Sequence, residues 1–173
     1  MKYAAVLFDL DGTLLDTLED LADSMNRTLK RHGLPEHPVD AYRYFVGDGA
    51  RNLTIRALPE EERTEPTIHK LLSEFRADYG ENWRVKTRPY PGIPAMLDAL
   101  QAKGIKLAVV SNKPDADTRR CVESLLPHCR FDHILGQREG VPLKPDPTAA
   151  LEVTRKLKVA PPACLFLGDT RMD

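Results

Sequence analysis

Two carboxylates, Asp9 and Asp11, stand two residues apart where an uninterrupted apolar run, Ala4-Ala5-Val6-Leu7-Phe8, comes to an end, and Gly12 and Thr13 follow at once. A short apolar run of this kind fits a strand buried on both faces of a parallel sheet. If the extended geometry lasts through Asp11, both carboxylates point to the same side. Like charges this close repel, so either one is protonated or a cation sits between them. Gly12 lets the backbone turn sharply with a ligand close by. A solvated loop acid would explain one such residue. Asp-x-Asp-Gly-Thr directly after an apolar strand points instead to a site.

Three more places along the chain carry matching chemistry. The apolar run 105–110 ends in Ser111 and Asn112, and the run 164–167 ends in Gly168 and Asp169, with Asp173 four residues on. Between them lies Leu143-Lys144-Pro145-Asp146-Pro147. Asp9, Asp11, Asp169 and Asp173 offer hard oxygen ligands suited to Mg²⁺. Lys144 and the Ser111 hydroxyl suit a phosphate. A carboxylate nucleophile beside Mg²⁺ and a lysine suits phosphoryl transfer, which is mostly positioning and charge neutralisation. Asp9 gains over water by being held in line with phosphorus. Taken singly, Lys144 reads as a loop lysine and Ser111 as a helix cap; their place in the set reverses both readings.

These residues need a scaffold that gathers them, and the periodicity supplies one. Leu18, Leu21, Ala22, Met25 and Leu29 recur at helical spacing, which predicts a helix over 17–32. Asp16 or Thr17 can cap it and Gly33 is placed to stop it. After the break at Leu34-Pro35-Glu36-His37-Pro38 come a short segment over 42–45, the turn Val46-Gly47-Asp48-Gly49, and helices over 50–58 and 66–83. No strand is expected over 16–83. Residues 84–92, with two prolines and a glycine, read as a linker, and Trp83 is expected to pack beside it. Helices over 94–103, 115–126 and 146–157 then alternate with strands over 105–110, 131–135 and 164–167. Strands alternating with helices through short connections give an α/β fold, a doubly wound, Rossmann-like parallel sheet. The helical block interrupts that alternation, so residues 16–85 form an inserted helical cap domain and residues 1–15 and 86–173 the catalytic core. Ligands of such sheets lie outside the carboxyl ends of the strands, where all of the chemistry-bearing residues fall.

Asp9-Leu10-Asp11-Gly12-Thr13-Leu14 resembles the first motif of the haloacid dehalogenase superfamily in its phosphatase form. Ser111 after the second core strand, Lys144, and Gly168-Asp169-Thr170-Arg171-Met172-Asp173 match the remaining motifs in order, so the resemblance spans nearly the whole chain. It implies that Asp9 attacks phosphorus and becomes an aspartyl phosphate. Asp11 would protonate the leaving alkoxide and then activate water. Ser111 and Lys144, with Thr13 and Asn112, would hold the phosphate. Asp9, the carbonyl of Asp11 and Asp169 would bind Mg²⁺, with Asp173 acting through water or orienting that shell. Ser111-Asn112-Lys113-Pro114, the helical insertion and Val46-Gly47-Asp48-Gly49 most resemble phosphoglycolate phosphatases. Arg51 could grip a substrate carboxylate as a fork, although a solvated helix arginine is the simpler reading. Members of the family continue beyond the equivalent of Asp173 for another strand and helices, so the expectation is a chain cut short there.

The bulk properties narrow the partners. The chain has 173 residues, 42% hydrophobic and 29% charged, and a net charge of −1. That suits a folded protein with no electrostatic reason to bind nucleic acid or an anionic membrane. The expected partner is a small phosphorylated metabolite, and the expected assembly a monomer or homodimer. The amino-terminal run is too short for a signal peptide and stops at Asp9. Cys121, Cys129 and Cys164 are odd in number and form no Cys-x-x-Cys, which suits a reducing cytosol. His128, Cys129 and His133 fit no standard zinc spacing, and 59–65 reads as a solvated charge run. Rival readings are a sugar-phosphate phosphatase or a phosphosugar mutase on the same scaffold, or an inactive binding domain that keeps the fold.

Overall fold

The apolar run forms a strand, β1 (Ala5–Phe8), buried at every residue, in a computed structural model that describes residues 2–173. Three further strands, β4 (Lys106–Pro114), β5 (His133–Gln137) and β6 (Cys164–Leu167), join it in a four-stranded sheet of order β5-β4-β1-β6. All pairings are parallel: Phe8 lies opposite Val109 on one side and Leu167 on the other, and Val110 lies opposite Leu135. The chain leaves β1 for β4 and β5 on one flank and returns to β6 on the other. That reversal beside β1 is the switch point at which such sheets open a crevice.

Helices α5 (Ile93–Ala102), α6 (Asp115–Leu125) and α7 (Thr148–Leu157) make the crossovers. Val153 and Leu157 of α7 pack on Ala5, Leu7, Ala108, Val110 and Leu135 to form an apolar core. Helix α5 stops where Gly104 N–H bonds the Gln101 carbonyl and Ile105 N–H bonds the Leu100 carbonyl, which satisfies the last orphan acceptors before β4.

The described chain divides into two compact units, Met1–Asp16 with Pro89–Asp173, and Thr17–Arg88. The second is helical: α1 (Leu18–Arg31), α2 (Tyr42–Phe45), α3 (Ala50–Ala57) and α4 (Glu65–Asn82). Leu21, Met25 and Leu29 of α1 and Ile68, Leu71 and Phe75 of α4 are buried at helical spacing. Trp83 is buried in this unit as well, at 5% exposure. Helix α1 ends in paired bonds from Gly33 to Lys30 and from Leu34 to Leu29, as the position of Gly33 predicts.

The structure departs from the sequence reading in several places, and the third core strand lies two residues later than the expected 131–135. Thr17 stands at the start of α1, but its side chain makes no capping bond. Two short strands, β2 (Leu15–Asp16) and β3 (Arg88–Pro89), pair with each other where a helix cap and a linker are predicted. Two residues are too few to carry an alternation. β4 runs four residues past Val110, because its ladder with β5 resumes at Pro114 opposite Gln137 after a register shift. Helix α7 begins at Thr148 rather than 146, since Asp146 Oδ1 instead accepts the Thr148 N–H at 2.9 Å.

A buried carboxylate ties α1 to α4. Asp78, its side chain 4% exposed, accepts bonds from Arg27 Nη2 at 2.6 Å and Nε at 3.0 Å, and from Arg31. Burial pushes its pKa up, but the hydrogen bonds from Arg27 and Arg31 outweigh burial and hold it below the usual carboxylate range. A depressed folded pKa contributes stability that is present above the unfolded value, about 3.9, and is lost as pH falls through the folded one. Asp78→Asn is therefore expected to cost about 1.5–3 kcal/mol at pH 7. It should also flatten the acid limb of stability below pH ~4, read from urea midpoints across pH. An unchanged acid limb in the variant would show that the arginine cluster is not what resists acid.

Candidate active site

The sheet register carries the chemistry to one edge. Asp9 follows Phe8 and donates its N–H to the Leu167 carbonyl at 2.9 Å. Ser111 lies two residues beyond Val109 in β4, and Asp169 two beyond Leu167, so all three stand at the same end of the sheet. The loop after β5 brings Lys144 back to that end.

Lys144 is the hub. Its ammonium lies 2.9 Å from Asp9 Oδ1 and 2.6 Å from Asp173 Oδ1, with side chains 5%, 7% and 6% exposed. It also sits over the Phe166 ring, 5.4 Å from the centroid. Asn112 fixes its backbone from both directions: Nδ2 donates to the Lys144 carbonyl at 3.2 Å, and Oδ1 accepts the Lys144 N–H at 2.8 Å. Asp173 Oδ2 accepts the N–H and hydroxyl of Thr170, at 3.0 and 2.9 Å. Thr13 Oγ1 donates to Asp169 Oδ1 at 2.8 Å. Asp11 turns elsewhere: both its oxygens accept from Lys113 Nζ at 3.1 Å.

Two glycines make room for this. Gly12 has φ +84°, and a Cβ there would overlap the Asp169 carboxylate. A Cβ on Gly168 would overlap the carboxylate of Asp173. Any larger residue would push an acid out of the cluster.

The electrostatics follow from burial and from the lysines. Burial raises Asp9 from 3.8 to about 6; Lys144 opposes that shift, while Asp173 and Asp11 add to it. Burial also raises Asp169, against the Thr13 hydrogen bond. Burial pushes Asp173 up too, but the hydrogen bond and charge of Lys144 outweigh it and hold that carboxyl below its ordinary value. Four carboxylates face two ammonium groups, which leaves two negative charges for one divalent cation to neutralise. The donor set fits. Asp9, Asp169 and Asp173 each present an oxygen, all within 4.8 Å of one another, and they are the one such group of three among the described residues. Opposite ligands of octahedral Mg²⁺, at about 2.1 Å from the ion, lie about 4.2 Å apart.

A family model for haloacid dehalogenase-like hydrolases matches residues 6–173. The chain belongs to the haloacid dehalogenase-like hydrolase family. It is 40% identical over 168 residues to a phosphoglycolate phosphatase of Aquifex aeolicus, covering 97% of this chain and 76% of that relative. A phosphoglycolate phosphatase of Psychrobacter arcticus is 35% identical, with 100% and 78% covered. Among solved structures, a Lactobacillus delbrueckii protein assigned as a phosphoglycolate phosphatase superposes with a TM-score of 0.94 at 33% identity, covering 100% of this chain and 81% of that one.

Within this hydrolase, the residues singled out from the sequence fall into two groups. Asp9, Asp11, Thr13, Ser111, Asn112, Lys144, Asp169 and Asp173 gather at the sheet edge. Ser111 is 7% exposed and its Oγ accepts the Lys113 N–H at 3.2 Å. Thr13 and Asn112, grouped with the phosphate-binding candidates, direct their side chains at Asp169 and at the Lys144 backbone. Arg51 belongs to the helical unit, near the start of α3, where it is exposed and paired with Glu65. Lys113, 8% exposed and bonded to Asp11, has no role in the sequence reading. Its only signal there is its place beside Ser111 and Asn112.

Proposed function

We propose that this hydrolase cleaves a small phosphomonoester, 2-phosphoglycolate foremost, through an aspartyl phosphate on Asp9. The observation that carries the reading is the buried contact between Asp9 and Lys144, set beside the oxygens of Asp169 and Asp173. An anionic nucleophile with a fixed ammonium next to it is what an incoming phosphate dianion needs. The names of the relatives point to phosphoglycolate as the substrate.

An oxygen of Asp9 attacks phosphorus. The bond from phosphorus to the ester oxygen breaks, and its electrons pass to the leaving alkoxide, which takes a proton from Asp11. Water then attacks the phosphorus, yielding its proton to Asp11, and the bond to Asp9 breaks. Inorganic phosphate leaves, and both aspartates return to their starting states. Lys144 and Ser111 hold the phosphoryl oxygens, Asn112 sets the Lys144 backbone and Thr13 steadies Asp169. Asp9, Asp169 and the main-chain carbonyl of Asp11 would hold Mg²⁺, with Asp173 behind them, and the ion supplies charge neutralisation at the transferring group. The helical unit, with Arg51, serves as the cap that selects the substrate. Free thiols at all three cysteines suit a cytosolic enzyme.

The test is phosphate release from a panel of small phosphomonoesters with Mg²⁺ or with EDTA. Release from phosphoglycolate that EDTA abolishes is the expected result. Release only from hexose phosphates would keep the chemistry and replace the substrate, and phosphate moved between sugar hydroxyls would mark a mutase. No release from any ester in Mg²⁺ would overturn the reading.

A further inference from the structure

Lys113 is the second ammonium buried in the site. Its Nζ stands 3.1 Å from both oxygens of Asp11, with the lysine side chain 5% exposed and the Asp11 side chain 22% exposed. A cation equidistant from both oxygens fixes the position of a carboxylate and the direction in which its two oxygens point. Lys113 itself is held: its backbone N–H bonds Ser111 Oγ, and its carbonyl accepts the Thr118 hydroxyl at 3.1 Å, at the end of β4 just before α6. The strand end that carries Ser111 therefore also carries the group that orients Asp11.

We propose that Lys113 is a positioning residue for Asp11 in both proton transfers. The inference rests on the phosphatase reading above. In the first step Asp11 gives its proton to the leaving alkoxide; in the second it takes one from the attacking water. Each transfer needs the carboxyl group held within hydrogen-bond reach of the reacting oxygen. Lys113 adds no atom and moves no proton. It keeps the carboxylate from swinging away between the two steps.

A substrate whose leaving group needs no proton separates the steps. The 4-nitrophenolate anion departs unprotonated, so formation of the aspartyl phosphate from 4-nitrophenyl phosphate bypasses Asp11, while its hydrolysis does not. Lys113→Met keeps the side-chain length and removes the charge. Stopped-flow measurement with Mg²⁺ is expected to give a burst of one 4-nitrophenolate per site at a rate within about twofold of the parent. Steady turnover should then be slower by about 10–100-fold, a part of the 10²–10⁴-fold that positioned acid–base catalysis supplies. With phosphoglycolate, kcat should fall by a similar factor and KM stay within about twofold, and Lys113→Arg should restore most of the rate. A burst slowed as much as turnover would overturn the proposal and assign Lys113 to phosphate binding. A raised KM with unchanged kcat would overturn it as well. If Lys113→Met does not fold, Lys113→Gln, which also removes the charge, decides: a burst followed by slowed turnover supports the proposal, and equal slowing of both phases or no slowing of either overturns it. A parent enzyme inactive on both esters would instead remove the phosphatase reading, and this inference with it.

Discussion

Asp9→Asn is expected to release phosphate at less than about a thousandth of the parent rate, with the protein more stable than the parent in EDTA. The loss of rate follows from chemistry: an amide oxygen in the same place does not form the covalent intermediate. The gain in stability follows from burial. Asp9 is 5% exposed, and its pKa is raised from 3.8 to about 6. A carboxyl group shifted in that direction costs nothing below the unfolded value, costs progressively more as pH rises from 3.8, and carries its full penalty above about 6. Asparagine is isosteric, keeps an oxygen for the Lys144 ammonium and for the Leu10 N–H that now bonds Asp9 Oδ1 at 2.7 Å, and carries no charge. At pH 7.5 without metal the variant should gain on the order of 1–3 kcal/mol. Mg²⁺ should reverse the order. A cation at one hundred times its Kd stabilises a protein by about 2.7 kcal/mol, and the variant lacks one of the anionic ligands. Thermal melts of both proteins, with EDTA and with Mg²⁺, measure this directly. A variant less stable than the parent in EDTA would mean that the Asp9 charge is well compensated, not strained.

That trade of stability for function was partly legible in the chain. An uninterrupted apolar run that stops at Asp-x-Asp-Gly-Thr marks a buried parallel strand and its polar end, because a strand with four successive buried apolar residues is covered on both faces and leaves only its end to present two acids. The α/β fold followed from strands and helices in alternation, and the runs at 105–110 and 164–167 supplied two of the neighbours of β1. Helix ends were readable at Gly33 and Gly104, where glycine follows the last periodic residue. The pairing of Leu15–Asp16 with Arg88–Pro89 was not, since two-residue strands leave no period. Lys113 was missed for a different reason. A lysine after a strand reads as a solvated one, and what makes its burial tolerable includes a carboxylate 102 residues away in the chain. Asn112 is similar: its amide bonds the backbone of a residue 32 positions on in both directions, and backbone partners leave no trace in side-chain types. The acidic cluster divides in the structure in a way that spacing does not foretell. Asp173 meets Lys144 and Asp9, while Asp11, only two residues from Asp9, faces the other lysine.

Lys144→Met separates the two tasks that this division gives to one ammonium. In EDTA the substitution leaves Asp9 and Asp173 facing each other, 7% and 6% exposed, without the cation that lies between them. Removing one partner from a buried charge pair costs about 3–5 kcal/mol, and the loss should grow with pH as Asp9 ionises. Methionine preserves the contact with the Phe166 ring that the lysine now makes, so the loss reports on charge more than on packing. Mg²⁺ should restore most of the stability, because a cation held by Asp9 and Asp169, with Asp173 behind them, would replace the missing charge. Activity should not return with it. The ammonium is fixed where phosphoryl oxygens gain charge, and the loss of such a fixed donor costs about 10²–10³ in rate. Stability rescued by Mg²⁺ without rescue of phosphate release is therefore the expected pair of results. Equal stability of variant and parent in EDTA would show that Lys144 does not balance the two acids. Activity restored by Mg²⁺ alone would show that it does not hold the phosphate. Either result would move the hub of the site from Lys144 to the carboxylates themselves.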